Sequence, residues 1–182
     1  MNIGFTLVLA IAATAVDGIL AGASLDQSIK QLPARHKMGV LNFSVYSRAS
    51  DLGNGILWYA ILGIGAAALT IAAGVAAYVE DVPRGKAIPI FISTILAVLH
   101  SAVTTQAAPI DFSQREAVND EKALAEIFDK FEKWQTVRCM LQVLTFAAML
   151  WALASFVTSS ADLSFVTGKV LTLLGGGETT AG

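Results

Sequence analysis

Four apolar runs of membrane-crossing length, separated by polar segments, constrain this chain more than any other feature. They cover about residues 3–23, 56–79, 87–106 and 135–157. A hydrocarbon core of about 30 Å calls for about 20 helical residues at a rise of 1.5 Å each, which every run supplies. With 55% hydrophobic residues, 14% charged residues and a mean hydropathy of +0.64, the chain lies far from a soluble globular composition. The expected fold is all-α: an integral membrane four-helix bundle, with an interfacial helix in the first loop and an amphipathic helix leading into the fourth span. Residues 1–158 are expected to form the four-span domain and residues 159–182 a C-terminal tail.

The first run competes with a signal-peptide reading, because Ala21-Gly22-Ala23 resembles a small-residue cleavage site. The positively charged leader of a signal peptide is missing, so the run is read as a span. A net charge of -2 without a basic block gives no reason to expect nucleic acid. The single cysteine, Cys139, excludes an internal disulfide and a paired-cysteine redox site, and is read as a packing residue.

Between the first two spans, Pro33 is expected to end any helix that begins at Asp26. From Val40, the spacing of Leu41, Val45, Ala49 and Leu52 predicts an interfacial helix, with Gly53 and Gly55 allowing a bend. Phe43 and Tyr46 suit the headgroup zone. The second span is rich in Gly and Ala from Gly63 to Ala77, which predicts close helix packing. Pro83 and Gly85 mark a short turn into the third span, which starts with Pro89 in its first turn and stops before Pro109. Leu124, Ile127, Phe128, Phe131 and Trp134 then form an apolar stripe on a charged helix that feeds the fourth span.

Four spans put residues 24–53 and 107–134 on one face. Lys30, Arg35, Lys37, Arg48, Arg115, Lys122, Lys130 and Lys133 lie there, against Arg84, Lys86 and Lys169 on the other. The excess of basic residues predicts that this face is cytoplasmic.

The polar residues inside the spans gather toward that same face. Asp17 and His100 each stand about six residues before the exit of their span, and Arg138 and Gln142 fall within two turns of an entry. Arg48 and Asp51 precede the second span, Gln106 closes the third and Asp111 follows it. A titratable group at that depth is costly and marks a site by default. The competing reading is a structural ion pair of Asp17 with Arg138 and a packed His100. Metal binding finds no support: His100 has no second histidine at helical spacing, and neither HExxH nor a cysteine cluster is present. A haem with His100 as its one axial ligand has no positive support, and no nucleotide motif appears, since Gly175-Gly176-Gly177 neither follows a strand nor opens a helix; no cofactor is expected. Acid-base chemistry or ligand binding remains, with His100 as the titrating group and Asp17 or Asp111 as its orienting partner.

The Gly/Ala-rich first span, Thr104-Thr-Gln-Ala-Ala-Pro109-Ile-Asp111 at the end of the third, and Trp134-Gln-Thr-Val-Arg138 at the start of the fourth resemble the anthrone-oxygenase-like family of small four-helix membrane proteins. Ala107 and Asp111 stand where that family typically carries two asparagines. The resemblance implies a four-helix fold and, for an active member, oxygenation of a polycyclic aromatic substrate. A base, His100, would remove a proton, the resulting enolate would react with O₂, and Trp134 would join the ligand-binding residues. Arg138 would hold the developing oxyanion and Asp17 would fix the imidazole tautomer. Two further classes stay open: a binder or carrier of a lipophilic small molecule, and an accessory subunit meeting other membrane subunits through the C-terminal tail.

Overall fold

The computed structural model describes the backbone of residues 4–175 and the side chains of residues 4–158. Among the described residues the chain is helical throughout and has no strand. Its helices are α1 (Gly4–Asp26), α2 (Leu32–Met38), α3 (Val40–Ala49), α4 (Ile56–Val79), α5 (Arg84–Phe112) and α6 (Glu121–Gly175). With their flanking turns, four segments are long and apolar enough to cross a membrane: Gly4–Met38, Val40–Val79, Arg84–Arg115 and Glu121–Thr158.

The four long helices form a ring in which α1 and α5 each pack against both α4 and α6. Side-chain ties show that ring neighbours run antiparallel. At one end, the Thr6 N–H and Oγ1 donate to Glu80 Oε2 at 3.1 and 2.6 Å, joining the start of α1 to the end of α4. Further along, Ser93 Oγ donates to the Thr145 carbonyl at 3.4 Å, registering α5 on α6.

Side-chain size is distributed in reverse of a water-soluble bundle. The centre holds Ala10, Ala13, Ala73, Ala77 and Ala152 around Ile90 and Met149, whereas bulky Val8, Ile11, Trp58, Ile61, Ile95, Met140 and Trp151 face outward. Small interior residues let the backbones approach closely. The tightest approach is at Gly74, where an added Cβ would lie 2.4 Å from Thr94 Oγ1, so α4 and α5 meet at this level.

Several connections depart from the sequence reading. Pro33 does not end a helix. A π-helical turn, Gln27–Gln31, carries α1 into α2, and the Leu32 N–H reaches back to the Gln27 carbonyl. This widened turn shifts the register so that Pro33 falls in the first turn of α2, where its missing N–H costs nothing. Pro109 likewise lies inside α5, which runs on to Phe112. The turn beyond Pro109 is held by Ser113 Oγ donating to the Ile110 carbonyl at 2.7 Å and by Gln114 Nε2 donating to Asp111 Oδ1 at 2.9 Å. At the other end α5 begins at Arg84, so Pro89 falls in its second turn.

The bend expected at Gly53 and Gly55 is present as a second π-helical turn, Ser50–Gly55. An added Cβ at Gly55 would sit 2.6 Å from the Ser50 carbonyl oxygen, so the bend requires glycine there. Within α3, Leu41 and Val45 face outward, and Phe43 is buried rather than placed at the surface, because its ring packs edge-on to Phe128 at 5.0 Å. Leu32, Phe43, Ala107, Leu124, Phe128 and Phe131 form a second apolar core that seats α2 and α3 on the first turns of α6. Buried Arg35 fastens this contact through Asp129 at 2.6 Å and Glu132 at 2.5 Å. The stripe expected over residues 120–134 is therefore the start of α6, continuous with the fourth apolar segment. Of the expected tail, residues 159–175 continue the backbone of α6, and residues 176–182 lie outside the described residues.

Candidate functional site

Below the Gly74–Thr94 approach, α4 and α5 separate and a cavity of about 590 Å³ opens between them. Its volume falls within the range of small-molecule sites. On α4, Ile56, Ala60, Gly63, Ile64 and Ala67 recur at helical spacing and give one apolar wall. The facing wall comes from α5, where His100, Thr104, Ala108 and Asp111 lie at spacings of three and four. α1 adds Leu20, and α6 adds Phe131 and Arg138.

The register of α5 on α6 explains why His100 and Arg138 share this cavity. Ser93 contacts Thr145, and seven residues along each antiparallel helix lead to His100 on one and Arg138 on the other. Two helical turns return both chains to nearly the same face. His100 is 4% exposed, and its Nε2 is buried without a hydrogen-bond partner among the described residues. Arg138 Nε is buried without a partner as well, and among the described residues Arg138 forms no ion pair within 4.0 Å. Unpaired buried polar atoms are expensive, so these are the ones a ligand would satisfy: the guanidinium by an oxygen acceptor, and the imidazole nitrogen, where it carries the lone pair, by a proton.

The outer end of the cavity is more polar and better satisfied. Gln27 Nε2 donates to Asp51 Oδ2 at 3.2 Å, and Gln114 Nε2 is shared between Asp111 Oδ1 and Ser47 Oγ, the latter at 3.2 Å. Arg115 Nη2 donates to the Leu52 carbonyl at 3.0 Å, fixing the Ser50–Gly55 bend over this end.

Of the residues singled out from the sequence, His100, Arg138, Asp51 and Asp111 line the cavity together. Asp17 and Gln142 form a separate buried tie. Asp17 Oδ2 accepts from Thr70 Oγ1 at 2.8 Å, and Gln142 Nε2 donates to Asp17 Oδ1 at 3.1 Å and to the Asp17 carbonyl at 3.2 Å. Gln142 is one helical turn past Arg138 on α6, so this tie sits one turn deeper than the His100 layer. Asp17 thus makes neither an ion pair with Arg138 nor a hydrogen bond to His100; its donors are Thr70 and Gln142. Gln106 and Trp134 are exposed on the outside of the bundle, and Arg48 turns back so that its Nε donates to the Ser44 carbonyl at 3.3 Å. None of these three lines the cavity.

Tyr59 and Gln27 line the cavity and escaped the sequence reading. Tyr59 was legible in principle: it stands four residues before Gly63 on the small-residue face of α4. Gln27 carried no such signal, because its position depends on the π-helical turn that continues α1. The described residues contain no group of three or more His, Cys, Asp or Glu side chains arranged to hold a metal ion. Comparison with protein-family models, with curated proteins and with solved structures finds no match.

Proposed function

We propose that this chain is a multi-pass membrane protein that binds a lipophilic small molecule in the α4–α5 cavity and acts on it by proton transfer. The observation that carries the reading is the pairing of an apolar wall with a buried, unpartnered His100 Nε2 opposite Arg138. Its membrane placement is supported by the four apolar segments and by the outward-facing bulky side chains around a small-residue core. The basic residues on the 24–53 and 107–134 segments favour a cytoplasmic location for that face, with α3 lying at the interface.

In the chemistry we infer, the substrate carries a C–H bond next to a carbonyl group. His100 Nε2 takes the proton, and the electron pair moves onto the carbonyl oxygen. Arg138 stabilises that oxyanion with a permanent charge in a site of low dielectric. The resemblance to anthrone-oxygenase-like proteins extends the scheme for a CH₂ carbon: the enolate carbon bonds to O₂ as co-reactant, the peroxide anion takes the proton back from His100, and loss of water from the hydroperoxide leaves a new carbonyl group. Asp111 lines the same cavity, but at its outer end beside Gln114 and eleven residues along α5 from His100, so it does not take over the role expected of Asp17.

The test is purification from native membranes followed by mass spectrometry of bound molecules, with turnover of the recovered ligand by wild type, His100→Ala and His100→Gln. Both variants are expected to lose turnover, since an amide accepts a hydrogen bond but not the proton. Full activity in both would make His100 a packing residue. Recovery of larger membrane subunits, with no ligand, would favour the accessory-subunit reading instead.

A further inference from the structure

The cavity has a side entrance. Ile56, Ala60, Ile64 and Ala68 line it while also being exposed on the outer surface of α4, and Ile64 is 72% exposed. Around this mouth the outer surface is apolar, with Leu57, Ile61, Val98 and Leu99 all exposed. A molecule dissolved in the apolar layer around the bundle would therefore reach His100 without crossing water.

The slot is long for its volume. Its α4 wall runs from Ile56 to Ala68 and its α5 wall from His100 to Phe112, each thirteen residues or about 18 Å of helix. Spread over that length, about 590 Å³ makes an elongated slot that an extended hydrocarbon chain can fill.

The polar groups restrict the head of such a molecule. One permanent cation, Arg138, shares the cavity with two carboxyl groups, Asp51 and Asp111, so no surplus positive charge awaits an anionic head. Arg138 and Tyr59 offer donors, whereas the carboxyl groups and the His100 Nε2 lone pair offer acceptors. Ser101 and Thr104 spend their hydroxyl protons on the Ala97 and His100 carbonyls and so also present lone pairs. A hydroxyl group can meet both kinds of partner, and a carboxylate only one.

We propose that the cavity takes a single-chain membrane lipid with an uncharged, hydroxyl-bearing head, of the monoacylglycerol type, entering sideways between α4 and α5. This rests on the reading of the cavity as a lipophilic-ligand site and names the ligand class and its route.

Gly63 and Gly65 provide a matched test. An added Cβ at either meets nothing within 4 Å, but only Gly63 lines the cavity. Both Gly63→Leu and Gly65→Leu should fold, because leucine is the better helix former by about 1 kcal/mol. The experiment reconstitutes the full chain in lipid nanodiscs and labels it with a photoactivatable monoacylglycerol. Excess monooleoylglycerol is expected to compete at least tenfold better than oleate, with crosslinks on α4 and α5. Gly63→Leu should lower labelling at least tenfold, and Gly65→Leu should leave it unchanged. Equal or better competition by oleate overturns the uncharged head. Equal labelling of the two glycine variants overturns the slot. If a compact ring compound copurifies and depends on His100 while monooleoylglycerol fails to compete, this inference falls and the proposed function stands. If neither class binds, both fall.

Discussion

Gln142 on α6 donates to both the side chain and the backbone carbonyl of Asp17 on α1, and Thr70 on α4 completes the set. A carboxyl group that is 1% exposed is thereby shared by three helices of the ring. The tie fixes α1 against the two helices that flank the cavity helix α5, and it does so one turn above the His100 layer.

Removing its donor should cost stability, not activity alone. Gln142→Leu leaves a buried carboxyl group short of a donor, at a cost of about 1–3 kcal/mol. Asp17→Asn keeps an acceptor for Thr70 but sets its NH₂ against the Gln142 NH₂, so it should also cost stability. Thermal unfolding of the detergent-solubilised protein reads both. A Gln142→Leu melting curve identical to wild type would deny the tie its structural role.

The Gly74–Thr94 approach supplies a second measurable coupling. Gly74→Ala puts a methyl group where Thr94 Oγ1 already stands, and overpacking of this kind costs about 1–3 kcal/mol. In a Thr94→Ala background the same change should lose most of that penalty, which a double-mutant cycle isolates. The cavity should also respond, since forcing α4 and α5 apart at this level alters the slot beneath it. Additive effects of the two substitutions would mean that the helices adjust elsewhere.

Much of the fold was legible because hydrophobic length is a strong signal: the four segments fall where the apolar runs do. The connections were harder. Pro33 and Pro109 are local helix breakers by chemistry, but a π-helical turn absorbs the first and the Ser113 and Gln114 contacts hold the turn after the second. The site was legible in part for a related reason. Counting residues back from each span's end put Asp17 and His100 at equal depth, but α5 continues six residues beyond Gln106, so the count began from the wrong place. The helix register, set by Ser93 on Thr145, decides instead, and it pairs His100 with Arg138 while leaving Asp17 to Gln142. Position along the chain places Gln106 and Trp134 near the cavity, and only the rotation of α5 and α6 shows that they face outward.

Sidedness can be read independently of any ligand. With Cys139→Ser as background, single cysteines at Lys30, Arg84 and Lys122 should divide into two groups under an impermeant thiol reagent. Positions 30 and 122 are expected to label from the cytoplasmic side and position 84 from the opposite one. Labelling of position 84 together with the other two would break the four-span arrangement, because α4 and α5 would then not both cross.

Arg138 and His100 should fail in different ways when changed, and the difference separates binding from chemistry. Arg138 offers a permanent donor to a ligand oxygen in both the bound and the reacting state, so Arg138→Gln should weaken binding. A hydrogen bond to a charged group contributes about 1.5–3 kcal/mol, or roughly a 10- to 150-fold rise in Kd. His100→Gln keeps a polar side chain of similar reach on the same wall, so binding should change less than threefold. Its loss appears in kcat, because the amide cannot hold the abstracted proton. Binding of the recovered ligand, measured beside single-turnover rates, gives the two numbers for each variant. A His100→Gln variant that loses binding and keeps its single-turnover rate would reverse the assignment, making the imidazole the anchor and not the base.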